Sequence, residues 1–166
     1  MKNVVVMICL SLAVFSCSTL TSAERAEREA KIERAVAKML AEHRYAVTVN
    51  MMFPRNGRAQ NVTSDYSLEV RSDSLVSYLP YYGRAYSVPF EGGKGLNFAT
   101  LIKNYHSEKG KKGNTRVEIE VDNTEDCIRY SLDIFPNGST TIDVIARERD
   151  PISYSGQMEI DEDSLK

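Results

Sequence analysis

The densest group of chemically versatile side chains lies in the tyrosine tract, Ser77–Phe90, which reads SYLPYYGRAYSVPF. Its candidate binding residues are four tyrosines and one arginine: Tyr78, Tyr81, Tyr82, Arg84 and Tyr86. A tyrosine joins an apolar ring to a hydrogen-bonding hydroxyl, and a guanidinium group can hold a carboxylate with two parallel hydrogen bonds. Because Pro80 and Gly83 interrupt a regular strand, several of these side chains are expected to project from an irregular turn. The tract predicts a recognition surface, with packing of the rings over a barrel rim as the alternative.

A second segment of similar composition lies near the C-terminus, at Ile152–Gly156. It is expected to lie beside the tyrosine tract, which adds Tyr154 to the candidate binding residues. A small ligand, a glycan, a peptide or an envelope protein would all suit such a surface, and the sequence does not choose among them.

The remaining reactive residue types do not form a catalytic or metal-binding pattern. His43 and His106 have no carboxylate or nucleophile at a telling spacing, and Cys127 has no evident basic partner. The acidic stretch Asp122–Asp126 lacks the spacing of a calcium loop, and Glu91–Gly95 lacks the ending of a phosphate-binding loop. The sequence therefore predicts no catalytic residue, no metal and no cofactor. An envelope hydrolase with an unrecognised site is the alternative to a non-enzymatic protein.

The N-terminus has the pattern of an export signal. Lys2 precedes an apolar run, Val4–Phe15, that is too short to span a bilayer and is followed by small residues. The segment Val14–Cys17 resembles a bacterial lipobox, in which the peptide is cut before a cysteine that then carries the lipid. The pattern predicts a signal peptide over residues 1–16 and lipidation of Cys17, with cleavage after Ala23 and plain secretion as the alternative.

These features predict an exported lipoprotein, anchored by lipid in the cell envelope, either facing the periplasm or in the outer membrane. Removal of residues 1–16 leaves 150 residues, enough for one domain, with 20 basic and 23 acidic side chains. The chain has no polybasic block, so we expect the membrane as a partner through the anchor and no nucleic acid. Only Cys127 would remain in the folded domain, so stability must come from packing.

The first element that could position the tyrosine tract is a helix from Thr21 to about Arg44. Thr21 and Glu24 fit a capping box at its start. Its second half carries one apolar stripe: Ile32, Val36, Met39, Leu40 and His43. Its first half is charged, so we predict that residues 17–31 form a lipidated tether and the exposed start of the helix, and that residues 32–166 form a single β-rich domain.

After Tyr45 the apolar period changes from 3.6 to 2. The predicted inward residues are Tyr45, Val47, Val49, Met51, Phe53, Tyr66, Leu68, Val70, Val117, Ile119, Val121, Ile128, Tyr130, Leu132, Ile134, Ile142 and Val144. Alternation of this kind is typical of antiparallel strands with one wet face, and Asn56-Gly57 and Asn137-Gly138 are strong hairpin signals. The chain is therefore predicted to be mainly β. About eight strands are expected in an up-and-down meander that forms a small lipocalin-like barrel or a strongly curved sheet, with the helix closing one end.

Several blocks of the chain resemble one family. Asn61–Tyr66, Ser77–Tyr81, Gly83–Tyr86, Phe135–Ser139 and Ile152–Gly156 are similar to blocks of a family of exported Bacteroidetes proteins, the domain of unknown function DUF4251. The resemblance covers roughly residues 35–160. It implies a lipoprotein-rich bacterial setting and a lipocalin-like β fold. It implies no activity, so no catalytic residue is carried over.

Overall fold

The computed structural model describes residues 21–63, 65–86, 95–111 and 113–161. The predicted signal peptide, Cys17 and residues 91–94 of the glycine-rich loop lie outside the described residues. The described chain contains one helix, α1 (Ser22–Ala41). Its strands are β1 (Arg44–Pro54), β2 (Gln60–Asn61), β3 (Ser67–Arg71), β4 (Ser74–Leu79), β5 (Leu96–Lys109), β6 (Thr115–Asp122), β7 (Cys127–Ile134), β8 (Ser139–Ala146) and β9 (Ile152–Met158).

The strands form a closed antiparallel barrel, which confirms the first of the two predicted forms, a barrel or a strongly curved sheet. Eight of them, β1 and β3 to β9, each pair with the next in chain order, and β9 pairs with β1 to close the ring. The short strand β2 is an additional strand that pairs with the C-terminal half of β1, where Met51 lies opposite Asn61. Closure leaves these eight strands without the free edges that an open sheet would expose.

The interior of the barrel is a packed apolar core. The predicted inward residues of β6, β7 and β8 are all buried: Val117, Ile119, Val121, Ile128, Tyr130, Leu132, Ile134, Ile142 and Val144. Most of them have 0% exposure, so water does not reach them. A barrel of eight strands is just wide enough for its own side chains to fill, which is what these residues do. A ligand of this domain must therefore bind outside this core.

The alternation is wrong at one place, the second half of β1. The pairing of β1 with β9 shifts between Val49 and Met51, so Asn50 is an extra residue in a β-bulge. A bulge moves the following side chains to the opposite faces of the strand. As a result Met52 packs against the core, whereas Phe53, predicted to point inward, is 39% exposed.

The helix follows the prediction at its start and departs from it at its end. The Thr21 hydroxyl accepts from the backbone amide of Glu24 at 3.3 Å, and the Glu24 carboxylate accepts from the Thr21 amide at 2.7 Å, which completes the capping box. The helix ends at Ala41, not near Arg44. His43 has a φ of +51° and leaves the helical stripe, so its ring stacks on Tyr105 with the centres 4.1 Å apart.

The helix has one solvated half and one packed half. Residues 21–30 are exposed, whereas Val36 is buried in the core cluster and Ile32 and Leu40 pack against it. Among the described helical residues, none forms a segment long and apolar enough to cross a membrane.

The two ends of the barrel differ in what covers them. The helix end is where α1 enters β1, and it also holds the β3–β4, β5–β6 and β7–β8 turns. The predicted Asn137-Gly138 hairpin is found there, with Gly138 at a φ of +81°. The loop end holds the β1–β2 loop with Asn56-Gly57, the β4–β5 connection, the β6–β7 loop and the β8–β9 loop. The tyrosine tract belongs to the loop end.

Candidate functional site

Three segments that are far apart in the sequence meet at the loop end and form a cleft of about 420 Å³. Its lining residues come from the β1–β2 loop, the tyrosine tract and the β8–β9 loop: Arg55, Asn56, Tyr81, Tyr82, Gly83, Arg84 and Asp150. The mouth of a β-barrel is a common place for a ligand site, and loops on a rigid scaffold often carry function. We call this feature the Asp150 cleft.

Asp150 holds the tyrosine tract in place. Its carboxylate accepts from the Tyr86 hydroxyl at 2.6 Å and from the backbone amide of Arg84 at 3.3 Å. The backbone amide of Asp150 in turn donates to the carbonyl oxygen of Arg84 at 3.0 Å, and Ala85 forms an antiparallel bridge with Arg149. These bonds join the irregular tract to the β8–β9 loop, so the cleft has a defined shape without a bound partner.

Tyr81 also joins the tyrosine tract to the β8–β9 loop. Its hydroxyl donates to the carbonyl oxygen of Arg84 at 2.8 Å and lies 3.1 Å from that of Asp150. The Arg149 guanidinium lies over the Tyr81 ring, 5.5 Å from its centre, which is a favourable cation–π distance. A Cβ atom at Gly83 would lie 2.6 Å from the Tyr81 hydroxyl, so glycine is required for this close approach.

The acidic β6–β7 loop supports the β8–β9 loop from the other side. Asp126 accepts from the backbone amides of Arg147 and Glu148 at 3.0 and 3.1 Å. Glu125 lies 3.4 Å from the guanidinium of Arg149, which is only 8% exposed. These carboxylates are thus used on the protein's own cation and backbone. In the described parts of the chain no three histidine, cysteine or acidic side chains are grouped to hold a metal ion.

The exposed side chains that line the cleft or lie beside it are aromatic and cationic. Tyr82 is 57% exposed and Tyr86 is 65% exposed, and Arg55 and Arg84 are both exposed. An exposed tyrosine on a held backbone offers a large contact area at a low cost in side-chain entropy. The cleft therefore presents surfaces that can stack on a ligand and charges that can bind an anion.

Three of the predicted binding residues do not line the cleft: Tyr78, Tyr86 and Tyr154. Tyr86 lies beside it and donates its hydroxyl to Asp150. Tyr78 lies on the outer wall of β4, where its ring stacks on Tyr66 with the centres 5.0 Å apart. Tyr154 has 0% exposure, which corrects its assignment as a residue that contacts a ligand. The hydroxyl of Tyr154 donates to the carbonyl oxygen of Pro80 at 2.6 Å, so this residue supports the tract from the core.

Sequence reasoning missed three lining residues: Arg55, Asn56 and Asp150. Arg55 and Asn56 belong to the turn that the sequence assigned to a hairpin. Asp150 precedes Pro151, which is also a turn signal. Neither signal indicates that these loops contact the tyrosine tract, because that contact depends on which strands close the barrel.

The protonation states of the cleft favour binding over proton transfer. The hydrogen bond from Tyr86 lowers the pKa of Asp150, aided by the Arg84 amide and by the positive charges of Arg55 and Arg84. The same hydrogen bond raises the pKa of Tyr86, and burial raises the pKa of Tyr81. At neutral pH the carboxylate is thus charged and the phenols are protonated. A general acid or base works best with a pKa near the working pH, and these shifts run away from it.

The other reactive side chains are held in ways that do not suggest catalysis. A hydrogen bond to Asp122 raises the pKa of the Cys127 thiol, which disfavours the thiolate that a nucleophile needs. His43 is stacked on Tyr105 at the helix end, and His106 is exposed, with its Nε2 4.0 Å from the Glu108 carboxylate. Neither histidine lines the Asp150 cleft.

Comparison with known proteins gives a family and a fold. A family model described as a domain of unknown function, DUF4251, matches residues 27–158. The chain is also similar to the crystal structure of a DUF4251 family protein from Bacteroides eggerthii, with 16% sequence identity and a TM-score of 0.59. That match covers 81% of this chain and 91% of the other, and at this identity it shows the fold alone. No curated protein matches the sequence.

Proposed function

Since the chain belongs to the DUF4251 family, whose description assigns no activity, we propose from its own residues that it is an exported lipoprotein that binds a ligand in the Asp150 cleft without transforming it. The short apolar run before Cys17 supports export and lipidation, and the cleft supports binding. In this proposal the lipid holds the protein at the envelope while the loop end is the recognition surface.

The observation that carries the proposal is the cleft itself. Three distant segments converge on it, two of them (the tyrosine tract and the β8–β9 loop) are joined through Asp150, and yet Tyr82, Arg55 and Arg84 remain exposed. A purely structural loop contact would bury these side chains or give them partners. Holding the backbone in advance lowers the entropic cost of binding, so this arrangement favours recognition.

A hydrolase at this site is the second reading, and the chemistry of the cleft disfavours it. The carboxylate of Asp150 and the phenol of Tyr81 have pKa values that are shifted away from neutral pH. Asp150 already uses both carboxylate oxygens within the protein. A nucleophile with a base beside it, which covalent catalysis requires, is not formed by the residues that line the cleft.

Binding is tested by a thermal-shift screen of the full exported chain against defined sugars, sugar acids, peptides and small organic acids. A ligand that binds the folded state raises the melting temperature by mass action. Tyr82→Ala should weaken a true cleft ligand by about 1 kcal/mol or more, as expected for an exposed aromatic anchor. Tyr78→Ala is the matched control, since Tyr78 lies outside the cleft. A ligand that is unaffected by Tyr82→Ala, or the turnover of any compound at the cleft, would contradict the proposal.

Anchoring is tested separately by the intact mass of protein extracted from membranes. A diacylglycerol and an acyl chain on Cys17 are expected, because several chains together give firm anchoring where a single chain gives only marginal binding. A mature protein that begins at Glu24 would mean ordinary secretion and would remove the lipoprotein part of the proposal.

A further inference from the structure

The cleft carries two cationic groups, Arg55 and Arg84, that form no ion pair with any carboxylate of the described residues. Within the described residues, neither Arg55 nor Arg84 has a carboxylate oxygen within 4.0 Å. Three arginines on the barrel wall, in contrast, form ion pairs with carboxylates. Each pair is a direct contact between a guanidinium nitrogen and a carboxylate oxygen: Arg71–Glu69 at 2.6 Å, Arg116–Asp133 at 3.1 Å and Arg129–Glu120 at 2.7 Å.

Asp150 offsets only part of the charge of the two arginines and forms no ion pair within 4.0 Å with either, although both charges help to lower its pKa. One of its carboxylate oxygens accepts from the Tyr86 hydroxyl and the other accepts from the Arg84 backbone amide. The lining of the cleft therefore has two positive side chains and one negative side chain that is already engaged. The excess positive charge favours an anionic ligand, and the planar guanidinium groups match the geometry of a carboxylate.

The backbone of the tyrosine tract from Arg84 to Tyr86 is not free to pair with a peptide strand. The amide and the carbonyl of Arg84 are both bonded to Asp150, and the amide of Tyr86 donates to the carbonyl of Glu148 at 2.7 Å. Ala85 is bridged to Arg149. Recognition of a peptide by strand addition depends on main-chain hydrogen bonds, and here those groups are occupied. Strand addition at this segment is therefore disfavoured, which favours recognition of the ligand by side chains.

The exposed aromatic rings suit a ligand with a ring-shaped body. Tyr82 lines the cleft and is 57% exposed, so its ring is accessible to a ligand there. The C–H groups of a pyranose ring pack well on an aromatic face, while the sugar hydroxyls can bond to the polar tips of tyrosine and asparagine. The cleft volume of about 420 Å³ lies in the lower part of the range found for small-molecule sites, roughly 300–1,000 Å³.

Resting on the proposed function, we infer that the ligand of the Asp150 cleft is a sugar acid, a pyranose unit that carries a carboxylate. Arg55 and Arg84 hold the carboxylate from the two sides of the cleft, and Tyr82 packs on the face of the ring. Asp150 takes no direct part in binding, because it positions Arg84 and Tyr86.

The test is an NMR titration of the full exported chain with three probes: digalacturonate, the neutral disaccharide galactobiose and the dipeptide glutamyl-glutamate. Digalacturonate should shift the amide signals of residues 81–84 and bind about tenfold more tightly than galactobiose, the loss expected for a charge-assisted hydrogen bond. Arg84→Gln should weaken digalacturonate about tenfold. Arg55→Gln is a second variant with the same expectation. Arg58→Gln is the control, since Arg58 is exposed on the same loop and does not line the cleft.

The outcomes separate this inference from the proposed function. Equal binding of digalacturonate and galactobiose, or tighter binding of the dipeptide at the cleft, would overturn the sugar-acid assignment while binding at the cleft stands. An equal effect of Arg58→Gln and Arg84→Gln would show general charge attraction and would also overturn it. If none of the three probes binds, the assignment is wrong, and the broader thermal-shift screen then decides whether the proposed function fails as well.

Discussion

The two ends of the barrel rest on the same core and are closed in different ways. At the helix end an apolar stripe on α1 buries Val36, and the strands are joined by short turns. At the loop end the closure is polar: Asp150, Tyr86 and Tyr81 hold the tyrosine tract through hydrogen bonds to side chains and backbone. The apolar closure of the helix end offers a ligand few polar groups to bind. The polar closure of the loop end lies next to exposed rings and cations, which a ligand can contact.

The loop end also holds its binding residues in fixed positions, which favours specific recognition of a ligand. Tyr154 donates from the core to the carbonyl oxygen of Pro80, and Tyr130 donates to Ser77 at 3.1 Å. The tract is thus held from below by buried hydroxyls and from the side by Asp150. Binding residues that are positioned by packed neighbours lose less entropy when a ligand arrives. We therefore expect substitutions at the two ends to separate stability from binding.

The largest effect is expected in the core that both ends share. Leu132→Ala should lower the free energy of unfolding by about 2–5 kcal/mol, because Leu132 is fully buried and its removal leaves a cavity. Urea denaturation measures this change. Ile145→Ala on the neighbouring strand is the control, since Ile145 is 56% exposed and should change stability by no more than about 0.5 kcal/mol. Equal effects of the two variants would mean that the inward assignment of β7 is wrong.

The second-largest effect on stability is expected at the helix end, where α1 packs on the core. Val36→Ala should cost roughly 1–3 kcal/mol, since it removes two buried methyl groups from the face of α1 that packs on the core. The measurement is again the urea midpoint. A stability equal to that of the unsubstituted protein would show that the helix does not close this end in solution.

At the loop end, Tyr86→Phe should destabilise the protein in a pH-dependent manner and by less than Val36→Ala. The bond from Tyr86 lowers the pKa of Asp150 below its ordinary value of 3.8. A lowered carboxyl pKa contributes stability above the ordinary value, and this contribution is lost as the pH falls through the folded-state pKa. The difference in stability between the two proteins should be full at neutral pH and should disappear as the pH falls through the folded-state pKa of Asp150, below 3.8. A gap that does not change with pH would contradict this account, and circular dichroism melts across this range would measure it.

A smaller effect on stability is expected for Tyr82→Ala, within about 0.5 kcal/mol, because the ring is 57% exposed and makes no hydrogen bond among the described residues. The same variant should lose affinity for a cleft ligand, as proposed above. A large loss of stability would place Tyr82 among the structural residues and would weaken the contrast between the two ends.

The smallest effect is expected for the deletion of Ser18–Ala30. The described part of this segment is fully solvated, and its ion pair Glu27–Lys31 is a surface contact at 3.2 Å. The melting temperature should change by less than about 4 °C, roughly the shift that 1 kcal/mol would produce in a domain of this size. A larger drop would show that the first half of α1 belongs to the folded domain.

The sequence by itself was sufficient for most of the elements. Alternation with a period of 2 predicted the inward faces of β6, β7 and β8, and the capping box placed the start of α1. These features are local, since each depends on residues only a few positions apart. The number of strands and their one-sided pattern then predicted an up-and-down meander that forms a barrel or a strongly curved sheet, because a one-sided sheet must cover its apolar face.

Only the tertiary structure decided the contents of the cleft. The bulge at Asn50 turned Phe53 outward, and the closure of β1 against β9 placed Tyr154 in the core under Pro80. The same closure brought Arg55 and Asp150 to the tyrosine tract. Register and closure depend on pairing between strands that are distant in the chain. The alternation within one strand predicts neither of them, because the same inward pattern is compatible with any partner strand. For that reason the sequence identified the tyrosine tract with Arg84, whereas only the fold showed that Arg55 and Asp150 lie beside it.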